Sequence, residues 1–600
     1  MNSFRASILR RLAIALLGIG LVSSSPAQII TQTITLQPGW NAVWLEVQPA
    51  DNATDTVFNG LPLASVWTRL ERLSSVDFIQ NVSEEAFNEA GWQRWFPPSR
   101  TEAFLNNLFT VQANRAYLIK STATAPVIWN LTGRPALRRP AWVPDTFNLR
   151  GAPVDPATPP TFLNFFRPSP AHYHAVTGQL RPIYRLHSAS GEWQPVGAND
   201  SMRNGEAYWI HTEGASDYLA PLDVQLDLGD GLDFGLELTE LNLRLRNRRA
   251  TPANAQVTDL APGASLLSHY IFDPQLGGQW PHLPAALALP LNAGAETRLR
   301  LAVRRQDQPG SHYQSVLAVR DGAGTRLLVP VSAEKFTSAT ATGEAPALQG
   351  RPGLRAPIDD ARARAGLWVG TATINAVSEA HAADPTNPTP VKSELSLRLI
   401  LHVDSAGQTR LLKEVIQMWR DGTYTNDANG DQVVDRPGEY VLLTDDSLIP
   451  LFSGAAVRDG ESVGRRVSTI GYDFPAVLTN NFLNLAGFFA LNQALTGTLS
   501  MPHDHPTNPF LHRYHPDHDN LNARFDGPAV EAYAIARQIE LSFTAAPPDG
   551  PAAPDFGYNE MGGTYRENIT GLHKNAIQLG GTFRLSRVSL IAQLNPSPTP

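Results

Sequence analysis

Four short landmarks occur twice, in the same order, within the first 222 residues of this 600-residue chain, and repetition of this kind restricts a fold to stacked copies of one unit. Gly39-Trp40-Asn41-Ala-Val-Trp-Leu-Glu-Val47-Gln-Pro49 is echoed by Thr146-Phe147-Asn148-Leu-Arg-Gly-Ala-Pro153-Val-Asp-Pro156. Val66-Trp67-Thr-Arg69-Leu70 is answered by Ile183-Tyr184-Arg185-Leu186, and Gly91-Trp92-Gln93 by Glu192-Trp193-Gln194. Arg115-Ala116-Tyr117-Leu-Ile119-Lys closes the first copy, and Glu206-Ala207-Tyr208-Trp-Ile210-His the second. The separation falls from 107 positions at Trp40/Phe147 to 91 at Tyr117/Tyr208, so the copies differ in loop length. The landmarks are aromatic and β-branched, the composition of strands. With 48 prolines, 45 glycines and few long helical periodicities, the chain is expected to be all-β and multidomain.

The expected organisation is two repeated β-rich modules at 29–135 and 136–222, an immunoglobulin-like sandwich at 223–334, a linker at 335–365 and a C-terminal β domain at 366–595. The sandwich rests on alternation in Leu236-Glu-Leu238-Thr-Glu-Leu241-Asn-Leu243-Arg-Leu245-Arg and Thr297-Arg-Leu299-Arg-Leu301-Ala-Val303, and on a hairpin turn at Asp321-Gly322. The linker is rich in Ala, Thr, Gly and Pro and shows no sustained apolar period. The last domain opens with Gly366-Leu-Trp368-Val-Gly370. Near its end, Gly562-Gly-Thr-Tyr565-Arg and Gly580-Gly-Thr-Phe583-Arg form a short echo. Its two ends are expected to meet in one antiparallel sandwich or barrel.

Arg5, Arg10 and Arg11 precede an apolar run from Leu12 to Val22, followed by Ser25-x-Ala27. That pattern predicts a signal peptide over 1–27, and hence an exported chain that is secreted, periplasmic or at the cell surface. No later stretch is long and apolar enough for a transmembrane helix. The chain has no cysteine, which excludes disulfides, thiolate zinc sites and cysteine nucleophiles. A net charge of -8, spread along the chain, gives no footprint for nucleic acid. No motif for an organic cofactor occurs, and the sequence sets no oligomeric state.

The repeated landmarks resemble the GWN-type β-modules of large exported bacterial surface proteins, in which a Trp-Asn strand opens the module and a Gly-Tyr-Trp-like strand closes it. Gly-x-Trp-x-Gly at 366–370, His512-Arg-Tyr-His515-Pro-Asp517-His518-Asp519-Asn520 and Gly571-Leu-His573-Lys together resemble an uncharacterised C-terminal β domain of such proteins. The resemblance implies a cell-surface or secreted setting and brings no reaction with it.

Three places carry chemistry. His503, His505, His512, His515 and His518, with Asp517 and Asp519, crowd into seventeen residues. Imidazole and carboxylate together suit zinc or another divalent metal. The alternatives are a metal-free polar site, or a surface loop in which these groups hold turns. Asp427, Asn429, Asp431 and Asp435, with the carbonyl of Val433, match positions 1, 3, 5, 9 and 7 of a calcium loop, although Gln432 replaces the usual glycine and Glu439 falls one place late. The alternative there is an Asx-stabilised turn. Trp95, in the loop-like Gln-Arg-Trp95-Phe-Pro-Pro, is the best candidate for an exposed ring that stacks on a sugar. Trp67, Trp92, Trp193 and Trp209 either share such a platform or fill cores. Gly460-Glu-Ser462-Val-Gly464 matches the esterase elbow but lacks its strand–turn–helix setting.

The sequence therefore favours a non-enzymatic exported protein for surface assembly, adhesion or glycan contact, with a surface glycan or another surface protein as partner and calcium or a divalent metal as stiffener. A metal-dependent hydrolase using the histidine loop is the alternative, though it lacks an identified general base.

Overall fold

The computed structural model describes residues 30–69, 91–261, 265–335, 363–379, 386–426, 432–452, 456–458, 461–468, 482–502, 512–513, 530–531, 534–571 and 575–597. Over these residues the architecture is all-β and multidomain, with several sheets and one closed barrel. The landmark strands of the first module make a four-stranded sheet in the order Gly39–Leu45, Arg115–Ser121, Leu63–Arg69, Trp92–Trp95. In the second module Thr146–Arg150, Tyr208–Thr212, Ile183–Leu186 and Trp193–Pro195 take the corresponding order.

Both faces of the first sheet are covered. Val43, Leu45, Val66, Tyr117 and Ile119 face a smaller sheet of Ile30–Leu36, Val127–Pro135 and Val47–Gln48. Trp40, Ala42, Trp44, Trp67, Trp92, Ala116 and Leu118 face the second module and meet its Leu149, Leu186, Trp193, Ala207 and Trp209. A strand covered on both sides has no polar face, which is why Gly39–Leu45 reads as a continuous apolar run.

The second sheet turns its other face, with Ile183, Tyr208 and Ile210, into a core that continues through Leu243, Leu245, Leu299, Leu301 and Val329. These last residues line a two-sheet β-sandwich. One of its sheets is Leu222–Leu226, Glu240–Asn247, Glu296–Val303 and Leu267–His269. The other is Leu232–Asp233, Arg326–Glu334, His312–Arg320, Ala253–Asp259 and Leu287–Leu291. The chain passes from module to sandwich near residue 222, but the core does not break there. The hairpin at Asp321-Gly322 is closed by Asp321, whose Oδ1 accepts from the backbone N–H groups of Ala323 and Thr325 at 2.9 Å each.

The C-terminal domain is an eight-stranded closed antiparallel barrel of Gly366–Ser378, Pro388–Val403, Thr409–Leu412, Phe482–Gly487, Ala494–Met501, Ile535–Phe543, Glu560–Thr570 and Ile577–Ser589. Its first strand pairs with its last, so the two ends of the domain meet as expected. Trp368, Leu399, Leu499, Leu541, Tyr565 and Phe583 fill the interior. Positions between the inward ones, such as Gln538, Glu540, Arg566 and Asn568, are polar and at least partly exposed, the inverse of a barrel that faces lipid. Between Leu412 and Phe482 the described strands leave the barrel as an excursion, in which Glu414–Arg420, Glu439–Leu443 and Arg465–Ser468 make a separate small sheet. No helix among the described residues is long and apolar enough to cross a membrane.

Candidate functional site

The repeated landmarks position a buried layer between two sheets. Asn41 and Asn148 occupy equivalent places beside the opening aromatic. The Oδ1 of Asn41 accepts from Gln37 N–H at 2.7 Å and its Nδ2 donates to Gln37 O at 2.8 Å. Asn148 makes the same pair of bonds to Val143, at 2.9 and 3.1 Å. The closing tyrosines are matched too: Tyr117 Oη accepts from Gln112 N–H at 2.8 Å, and Tyr208 Oη from Arg203 N–H at 2.8 Å. Three residues before each tyrosine the backbone is left-handed, at Asn114 (φ 57°) and Gly205 (φ 75°), a region that Asn and Gly enter most readily.

Edge bonding joins the two copies. Trp40 and Trp44 N–H donate to Ser188 and Gly205 O at 3.1 and 2.8 Å, and Ala207 N–H donates to Ala42 O at 3.0 Å. The open edge of Gly39–Leu45 is thereby covered. Cations stack across the layer in both directions, Arg69 over Trp209 at 5.7 Å and Arg150 over Trp44 at 5.4 Å. Trp67, Trp92, Trp193 and Trp209 are all core residues of this contact.

Trp95 requires a correction. It ends the Trp92–Trp95 strand and is only 3% exposed, packed on Phe58 with its ring centroid 5.3 Å away, and its Nε1 donates to Asp55 Oδ1 at 2.6 Å. Trp92 and Trp95 point to opposite faces of one strand, and both faces are buried. An exposed stacking ring is therefore not available at Trp95.

Of the histidine cluster, only His512 falls among the described residues, and there the backbone of His512–Arg513 pairs antiparallel with Val530–Glu531. His503, His505, His515, Asp517, His518 and Asp519 lie outside them. Asp427, Asn429 and Asp431 do so as well. Val433 and Asp435 sit in the exposed strand Gln432–Arg436, paired with Thr423–Asn426, and Asp435 Oδ1 accepts from Thr425 Oγ1 at 2.8 Å. Ser462 lies in a short hairpin opposite Val457, with no strand-to-helix turn. Among the described residues no group of three or more His, Asp or Glu side chains is placed to hold a metal ion.

Charged residues far apart in the chain make the joints between units. Glu46 accepts from Asn204 of the second module at 2.9 Å and from Arg326 of the sandwich at 2.7 Å. Burial pushes its carboxyl up, and Arg326 opposes that shift. Arg305, fully buried, donates to the carbonyls of Glu334, Phe234, Gly235 and Leu238 and pairs with Asp555 of the barrel domain at 2.7 Å. Asn559 donates to Asp555 Oδ2 at 2.8 Å and to Leu236 O at 3.0 Å, while its Oδ1 accepts from Arg587. Burial likewise raises the carboxyl of Asp555. Inside the barrel Arg537 pairs with Glu567, which also accepts from Tyr565 Oη at 2.7 Å. The sequence carries no signal for these joints: Arg305 and Asp555 are 250 positions apart, and neither belongs to a local motif.

No protein-family model matches the chain, and no curated protein matches it significantly. Among solved structures it is similar to the YadV chaperone, at 8% identity over 37% of this chain and 100% of that one, with a TM-score of 0.14. The E. coli chaperone DraB matches at 11% identity over 36% and 96%, with a TM-score of 0.14. A chaperone–tip adhesion subunit pre-assembly complex from Csu pili of Acinetobacter baumannii matches at 11% identity over 38% and 91%, with a TM-score of 0.13. Scores this low say nothing of what the chain does.

Proposed function

We propose that this chain is a non-enzymatic exported protein that works at the cell surface as a rigid binding scaffold. The observation that carries the reading is the continuity of its joints. Two modules share a tryptophan layer, the second shares a core with the sandwich, and the sandwich is fastened to the barrel through buried Arg305. Such joints suppress the relative motion usual between domains, which suits a spacer or adhesive unit that must hold a surface in place. The N-terminal pattern and the resemblance to GWN-type modules support export, and bound calcium in the 427–435 loop belongs to the same proposal.

The test is expression with residues 1–27 intact, N-terminal sequencing of the exported product, and binding of the purified mature chain to intact cells and cell-surface glycans. A mature start at Gln28 with saturable binding is expected. Divalent-metal-dependent hydrolysis that disappears in a His515→Ala, His518→Ala variant would overturn the reading in favour of an enzyme.

A further inference from the structure

A cleft of about 810 Å3 opens between residues 164–181 of the second module and residues 248–251 of the sandwich. Four arginines line it, Arg167, Arg181, Arg248 and Arg249, together with Tyr173 and His174, and no Asp or Glu is among the lining residues. Three of the arginines are paired with carboxylates that are not among the lining residues. Arg248 donates to Asp223 at 2.8 Å and grips Asp217 through two bonds of 3.0 and 2.8 Å. Arg249 pairs with buried Asp321, and Arg181 with Glu213, each at 2.5 Å. Arg167 is exposed at the end of the short helix Phe162–Phe166, and its guanidinium makes no ion pair among the described residues.

This arrangement separates two roles for charge. The acids paired with the arginines largely cancel their field at a distance, so the cleft does not attract polyanions from afar. The overall charge of -8 opposes that as well. At contact range the guanidinium forks are already fixed, and N–H donors not used by Asp or Glu remain for a planar or tetrahedral oxyanion. Pre-fixed donors reduce the ordering cost of binding. The volume falls within the range of ligand-sized sites, and the tyrosine and histidine rings beside the arginines suit a flat sugar face.

We propose that this cleft binds an acidic oligosaccharide, with Arg167, Arg181 and Arg249 holding its carboxylate or sulfate groups. The proposal rests on the surface-binding reading above and gives it a site. Titration calorimetry on the full mature chain would use four probes: oligogalacturonate, sulfated dextran oligomers, neutral dextran and poly-glutamate. Binding of one acidic oligosaccharide but not of dextran is expected, and the uronate and sulfate arms identify the anion. An Arg167→Ala, Arg181→Ala variant should weaken it roughly tenfold or more. Arg167→Glu alone, at an exposed residue, should weaken it without affecting folding, and Arg465→Ala on the distant excursion should change nothing. The proposal fails if neither acidic oligosaccharide binds, if the variants bind as well as wild type, or if poly-glutamate binds as tightly. Intact cells provide the separating arm: cell binding that survives in the arginine variants sinks this site alone, whereas its absence in wild type sinks the surface reading.

Discussion

Asn41 and Asn148, like Tyr117 and Tyr208, recur because each braces a turn through a backbone group a few residues upstream. The repetition was legible in the sequence, but its cause was not, since the partner atoms are backbone and leave no residue signature. Tyr117→Phe and Tyr208→Phe should each cost about 1–2 kcal/mol in urea denaturation, the penalty for a deprived N–H. Exposed Tyr424→Phe should change stability by less than about 0.5 kcal/mol. A second residue-scale prediction concerns pH. His172 is wedged between Ser169 Oγ at 2.7 Å and Thr212 Oγ1 at 3.2 Å, and burial, aided by nearby His211, pushes its pKa down to about 3. Burial pushes His402 down to about 4. A lowered folded pKa means that the neutral ring is favoured by folding. Its stabilisation is complete above the ordinary imidazole value near 6.5 and is lost as pH falls from there through the folded value. The urea midpoint should therefore decline from about pH 6.5 to pH 4, and His172→Asn should flatten part of that decline. A pH-independent midpoint across that range would contradict it.

At the scale of elements, the echo Gly-Gly-Thr-aromatic-Arg is explained by pairing. Its two copies are neighbouring barrel strands, and the register sets Gly563 opposite Phe583 and Tyr565 opposite Gly581. Each aromatic thus stands across from a glycine, a device that strengthens strongly curved strands. A Cβ on Gly563 would lie 1.9 Å from Ser542 O, and one on Gly581 1.9 Å from Thr373 O. Backbone cannot retreat cheaply there, so Gly563→Ala and Gly581→Ala should each destabilise the barrel by several kcal/mol, or prevent its closure, on thermal unfolding. Gly580→Ala, whose nearest neighbour would be Ala376 Cβ at 3.8 Å, should be tolerated. Strands with one wet face, such as Glu296–Val303, could be read from alternation. The Trp92–Trp95 strand could not, since burial on both faces erases the alternation and Pro97-Pro98 imitates a loop. The same limit applied to the core shared by module and sandwich, because a boundary read from composition carries no record of which side chains cross it.

For the whole molecule, the decisive question is whether sandwich and barrel behave as one body. Their joint places Arg305 and Asp555 at 0% and 1% side-chain exposure. A buried pair contributes little net stability over an apolar contact of the same shape, but breaking it leaves a charge without a partner, at about 3–5 kcal/mol. Asp555→Asn keeps the size of the side chain and removes only the charge. Calorimetry of the mature wild type should show the two domains melting together. In Asp555→Asn the barrel should melt first, as a separate transition, with little change in the modules, which the tryptophan layer holds independently. Because the cost comes from an orphaned charge, an Arg305→Met, Asp555→Leu double variant should recover most of the lost coupling. If Asp555→Asn still melts in one transition at the wild-type temperature, this ion pair is not what couples the domains, whereas a wild type that melts in two transitions would take from the rigid-scaffold reading its main mechanical support. If the double variant remains uncoupled, the four carbonyls that accept from Arg305 hold the joint, and the ion pair serves only to neutralise it.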